Sequence, residues 1–205
     1  MCGFFIKLKS EKLLKTAYRI ISVFIVIFWA IMIALGAYRI VLIKYVYPLE
    51  YKEQVFKYSD EYNLERALIF AVIKTESSFD KNAISNANAK GLMQITDGTG
   101  EYIAKKLNVK DYDLFDENIN VNFGCYYIRY LMDRFIDVYT ALAAYNAGEG
   151  NVRTWLKNDA YSIDGITLTN VPFYETREYI KKIRENFNKY KKLYGNMLDK
   201  PKSFE

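Results

Sequence analysis

The strongest pattern along the chain is a long interval without charge. From Ile20 to Tyr38 no residue is ionisable as an acid or base at neutral pH, Arg19 and Arg39 close the interval, and apolar residues continue through Ile43. A helix over this stretch is roughly 28 Å long, close to the ~30 Å hydrocarbon thickness of a bilayer. With no polar face, it reads as a membrane span rather than a core helix. A second apolar run, Ala67 to Ile73, lies within Leu64–Glu76 and predicts a helix buried nearly all round, with Asn63 as its N-cap. Around it, residues 46–62 carry Val55, Phe56, Tyr58 and Tyr62 at helical spacing, and 77–90 read as a loop rich in Ser, Asn and Ala. Asp97–Gly100 reads as a glycine-punctuated turn before a helix ending near Leu107. Helices are predicted over 117–135 and 137–147, the latter stopped by Gly148, with a short one over 152–156. Residues 159–172 read as a small hairpin or an irregular loop, and an amphipathic helix follows Pro172 from Phe173 to about Leu193. The expectation is a mainly α protein: a tail over 1–19, a single N-terminal transmembrane helix over 20–43, a globular domain over 46–198 and a polar tail over 199–205.

Charge sharpens this division. The chain has 29 Lys and Arg against 24 Asp and Glu, a net charge of +5. Residues 1–45 hold seven basic side chains and one acidic, and the remainder 22 and 23, so the positive excess belongs to the N-terminal part. A near-neutral domain does not point to nucleic acid as a partner. The basic cluster before the span places the N-terminus in the cytoplasm by the positive-inside rule, with the rest of the chain outside. The competing reading is a cleaved signal peptide, since Ala34-Leu35-Gly36-Ala37 offers small residues. Cys2 and Cys125 stand far apart, form no CxxC pair and fall on opposite sides of this membrane, so no disulfide is expected.

There is no histidine in the chain. Ser-His-Asp and Cys-His machinery and histidine-ligated zinc are therefore excluded. Chemistry falls to carboxylates, hydroxyls, amides and lysine. Glu76 stands out because it ends the most apolar helix. Desolvation and the negative end of the helix dipole both raise its pKa, the direction a general acid requires.

Glu76-Ser77-x-Phe79, Ser85, Gly91-Leu92-Met93-Gln94, Ala144-Tyr145-Asn146 and Pro172-x-x-Glu175-Thr176-Arg177-x-Tyr179 follow one another in this order. Together with Leu114-Phe115-Asp116, Asn118-Ile119 and Gly124, they resemble the lytic transglycosylase domain of the soluble-lytic-transglycosylase type, within the lysozyme-like superfamily. The resemblance covers roughly residues 50–195. It implies a lysozyme-like fold and cleavage of the MurNAc-GlcNAc bond of peptidoglycan, leaving 1,6-anhydromuramic ends. It implies Glu76 as the sole acid/base and Ser85 as the serine that binds the N-acetyl group. Met93 and Gln94 would line the groove, Tyr145 and Asn146 would stand beside the scissile bond, and Glu175 and Tyr179 would come from the last helix. No metal or cofactor is implied, and the partners are peptidoglycan strands and the cytoplasmic membrane. Two departures fall in the groove loops: Asn88-Ala89 where the family commonly has Gly-Ala, and Thr96-Asp97 where Met and Pro commonly stand. Three rival readings remain at this level: a water-using muramidase on the same fold, a membrane-tethered glycan-binding protein that cuts nothing, and a structural membrane protein.

Overall fold

The structure is a computed structural model; it describes residues 2–199, with side chains from Leu14 onward. Two compact units divide at Pro48/Leu49. The first is one helix, α1 (Cys2–Val41), whose final stretch, Leu42–Val46, widens to a π-helical turn closed by Tyr47 N donating to Leu42 O at 2.7 Å. Its segment Leu14–Val46 is long and apolar enough to cross a membrane, and none of it is buried within the protein. The side chain of Cys2 lies outside the described residues.

The second unit holds α2 (Lys52–Glu61), α3 (Arg66–Glu76), α4 (Asp97–Leu107), α5 (Glu117–Met132), α6 (Val138–Ala147), α7 (Glu149–Trp155) and α8 (Tyr174–Tyr194). Two isolated bridges, Ile84 with Lys90 and Lys90 with Ile95, shape the loop between α3 and α4, and no strand occurs among the described residues. α3 forms the centre: every residue from Arg66 to Ile73 is buried. Such a helix must be covered on all sides. α8 covers it most extensively, and α2 also packs on it. The two long partners run antiparallel, since Glu76 and Thr75 meet Tyr179 and Asn186 while Glu65 meets Lys191. α8 turns Thr176, Tyr179, Ile183 and Tyr190 inward, and Tyr190 stacks on Phe70 at 5.4 Å.

Several boundaries differ from the sequence expectation for identifiable reasons. Asn63 does not cap α3; it adopts φ 52° in the left-handed region, where asparagine is tolerated, and turns the chain out of α2. Glu65 takes the cap position without a side-chain bond. The turn expected at Asp97–Gly100 is the first turn of α4, because Thr96 Oγ1 accepts from Thr99 N and starts the helix there. Asp116 and Asp137 cap α5 and α6 in the same way. α7 begins at Glu149, and residues 159–172 are irregular rather than a hairpin. Cys125 is free and wholly buried, and burial raises its thiol pKa.

Candidate active site

The chain reverses immediately after Glu76. Ser78 and Phe79 both have positive φ, 51° and 72°, a conformation costing roughly 1–2 kcal/mol for a residue bearing Cβ. Burial of Phe79 against Phe70 holds the reversal in place. Ser77 Oγ lies 2.9 Å from Leu92 O, tying the end of α3 to the Gly91–Gln94 turn. The adjacent Glu and Ser thus divide the work: one presents a carboxyl, the other anchors the loop facing it.

The Gly91–Gln94 turn is fixed from below by Asn120. This fully buried side chain accepts from Met93 N at 2.7 Å and donates to Lys90 O at 2.8 Å and Leu114 O at 2.7 Å. Gly91, at φ 75°, passes so close that a Cβ there would overlap the Asn120 amide. Met93 is completely buried, its thioether filling the space left by Gly124. The side chain expected to line the groove therefore packs the core, because the turn points it inward, and Met93 reaches the site only through its carbonyl, which accepts from Tyr145 Oη at 2.7 Å. Gln94 directs both amide protons to Ala83 O and Gly91 O, leaving its Oε1 as the end free of that closure.

Glu76 lines a cleft of about 430 Å³ with Thr75, Asn146, Tyr174, Glu175, Glu178, Tyr179 and Lys182. Tyr179 Oη donates to Glu76 Oε1 at 2.6 Å. Burial nevertheless pushes the Glu76 pKa up to about 7; the Tyr179 hydrogen bond pulls it down and the charge of Glu175 pushes it up. Desolvation wins over the phenol, leaving a carboxyl poised between its two forms at neutrality. Tyr145 and Tyr179 are pushed well above their ordinary range, first by burial and then by the Glu76 charge, so both stay protonated donors.

The structure brings Glu76, Asn146, Glu175 and Tyr179 together around one cleft. Thr176 Oγ1 donates to Asn146 Oδ1 at 2.7 Å, which fixes the orientation of the Asn146 amide at the edge of the cleft. Ser85 lies elsewhere, exposed on the α3–α4 loop, with its hydroxyl accepting from Ala89 N. Sequence reasoning did not single out Glu178 and Lys182 on the α8 face of the cleft, nor Asn186, which donates to Thr75 Oγ1 at 3.0 Å. The i, i+4 spacing of Lys182 and Glu178 and of Glu178 and Tyr174 was the available signal. Among the described residues no cluster of three or more acidic or thiol side chains is placed to hold a metal.

The family described as the transglycosylase SLT domain matches residues 53–164. The chain belongs to this family. It is 35% identical over 143 residues to a soluble lytic murein transglycosylase of Salmonella typhimurium, covering 67% of this chain and 22% of that one. It is 30% identical over 169 residues to the membrane-bound lytic murein transglycosylase C of Serratia proteamaculans, covering 70% and 47%. The crystal structure of the 70 kDa soluble lytic transglycosylase of Escherichia coli superposes with a TM-score of 0.64 at 31% identity, covering 73% of this chain and 25% of the other. The chain thus spans about a quarter of the length of its soluble relatives. Its helical unit has the mainly α, lysozyme-like fold that the motifs implied.

Proposed function

We propose that this SLT-family protein is a membrane-anchored peptidoglycan lytic transglycosylase. The observation that carries the reading is Glu76: a carboxyl held by burial at a pKa of about 7, bonded to Tyr179, in an open cleft. A group titrating near neutrality serves as acid and then as base without a large penalty in either role. Glu76 donates its proton to the glycosidic oxygen as the bond to C1 of N-acetylmuramic acid breaks. The carboxylate then takes the proton from the C6 hydroxyl of that sugar while O6 bonds to C1. Glu76 is regenerated, a 1,6-anhydro end forms, and no water enters. The intramolecular attack supplies the effective concentration that a water-using enzyme must obtain by positioning a water.

Asn146 would donate its amide protons to a sugar oxygen near this centre, Tyr145 would hold the Gly91–Gln94 turn beside it through its bond to Met93 O, and Glu175 acts through its charge on Glu76. Gln94 would offer Oε1 to the strand, and Ser85 its hydroxyl to an acetamido group once a strand lies over the loop. The domain plan follows: a cytoplasmic tail over 1–19, a span over 20–43 and an enzyme domain over 46–198 outside the cytoplasmic membrane. The name of the Serratia relative and the unburied apolar helix support membrane association.

The test is mass spectrometry of muropeptides released from peptidoglycan sacculi by the detergent-solubilised full chain. Anhydro-ended products are expected from the wild type and a loss of roughly 10²- to 10⁴-fold in Glu76→Gln. Products with reducing ends from the wild type would assign a hydrolase instead. Equal release by both proteins would remove Glu76 from the chemistry.

A further inference from the structure

The α8 helix has two polar sides. Glu175, Glu178, Tyr179 and Lys182 face the Glu76 cleft. Arg177, Lys181 and Arg184, spaced i, i+4 and i+7, form a separate row roughly 140° further round the helix, at about 100° per residue. This second row borders a cavity of about 360 Å³ that Tyr139, Leu168 and Val171 also line. Three cations stand there against one acid, Glu185. None of the three forms an ion pair among the described residues. Arg177 is turned onto Val171 O and Pro172 O, Arg184 lies over the Tyr139 ring at 4.2 Å, and Lys181 is exposed.

The loop that walls this cavity also carries bare apolar side chains. Ile163 is 84% exposed and Ile166 47%, and Ile136, just before α6, is 86% exposed. Leu168 N donates to Thr140 Oγ1 at 3.1 Å, which pins the loop to the first turn of α6, beside the segment that bears Ile136. Asp164 orders the tip, accepting from Ile166 N at 2.8 Å and Thr167 N at 2.7 Å. Asp137 is occupied likewise in capping α6. The nearby carboxylates thus turn to backbone N–H groups, while the isoleucines and the cations face water. An ordered tip of isoleucines beside unpaired cations suits a surface that is apolar within and anionic without.

We propose that this face docks on the anionic headgroups of a lipid bilayer, with its isoleucines entering the interface. The inference rests on the reading of α1 as a membrane anchor and is independent of the chemistry at Glu76. A chain that carries Leu14–Val46 keeps a bilayer at high effective concentration, so a weak surface contact is enough to hold the face down. Because the two rows of α8 point in different directions, docking leaves the Glu76 cleft open and sets its orientation to the lipid surface.

The experiment reconstitutes the full chain in vesicles, in a Cys2→Ser background with a fluorophore on Ile163→Cys; Cys125 is buried and stays unlabelled. Lipids spin-labelled on their acyl chains serve as quenchers. Strong quenching is expected in phosphatidylglycerol-rich vesicles and little in pure phosphatidylcholine. Lys181→Glu, at an exposed side chain with no bond to lose, is expected to lower the docked-to-free ratio roughly thirtyfold, one attraction being exchanged for a repulsion. Equal quenching in the two lipids, or in Lys181→Glu and its parent, overturns the docking face. Emission that follows protein density and ignores the lipid quencher puts a second copy of the chain there and overturns it too. If an alkaline wash strips the chain from the vesicles, the anchor reading has failed, and flotation with phosphatidylglycerol vesicles decides the face alone: weaker flotation of Lys181→Glu supports it, and equal flotation overturns it.

Discussion

Glu76 is held by three opposing influences, and each can be moved separately. Removing the Tyr179 hydroxyl deletes the hydrogen bond that favours the ionised form, so Tyr179→Phe is expected to raise the Glu76 pKa and shift the alkaline limb of the kcat/KM profile to higher pH. Glu175→Gln deletes a repulsive charge and is expected to shift that limb to lower pH. Opposite displacements in the two profiles check both assignments; limbs that stay together would refute them. The same shift reaches stability. Glu76 has a pKa of about 7 folded against 4.5 unfolded, so the native state binds more protons between those values and stability falls as pH rises through them. Glu76→Gln removes the burden of an ionised buried group. Its Tm is expected to match that of the wild type near pH 4 and exceed it at pH 8, by at most roughly 3 kcal/mol in stability. Among the expected site residues, Glu76 was legible because an acid at the end of an apolar run conflicts with its surroundings. Met93 was not, since sequence alone cannot tell which way a turn points a thioether. The two departures from the family pattern turn out to meet. Asn88 adopts φ 60°, which asparagine tolerates best after glycine, and its amide donates to Asp97 at 3.0 Å beside the Lys90–Asp97 ion pair. The two replaced positions touch, a pairing visible only in three dimensions.

At the scale of elements, the loop that faces the acid depends on α5. Asn120 satisfies one donor and two acceptors of the α3–α4 loop from within that helix. Asn120→Ala would leave all three without this partner and is expected to cost roughly 2–4 kcal/mol, read as a lowered denaturation midpoint with an unchanged m-value. Gly124→Ala is expected to destabilise as well, since its Cβ would displace the Met93 thioether. Helix positions were legible wherever the apolar period was long, as in α3, α5 and α8. Starts were less so, because a cap is decided by whether a side chain reaches a particular N–H. Thr96 does at the start of α4, whereas α3 starts from Glu65 with no side-chain cap bond, and Asn63 lies before it in a left-handed turn.

The whole molecule divides where its composition does, into an apolar helix and a near-neutral helical domain. That division was readable from charge counts, because a span excludes ionisable residues and a water-facing domain needs them. The order of the helices around α3 was not, since it depends on long-range complementarity such as Phe70 against Tyr190. The antiparallel α3–α8 pair is fastened at both ends. At one end are Glu76–Tyr179 and Thr75–Asn186. At the other, Lys191 pairs with Glu65 at 3.6 Å, and buried Arg66 ties α3 to α2 and to the segment after α8: it bonds Asp60 at 2.6 Å, donates to Asp199 O at 3.0 Å and stacks over Phe56 at 4.1 Å. Durability and reactivity are thereby assigned to opposite poles of one scaffold. Arg66→Ala is expected to lower the melting temperature by about 5 °C, from roughly 2 kcal/mol lost at a half-exposed ion pair, while the pH at which turnover fades stays where it was. Sequence drift at the far pole can therefore tune how much heat the protein withstands without retuning the acid it carries.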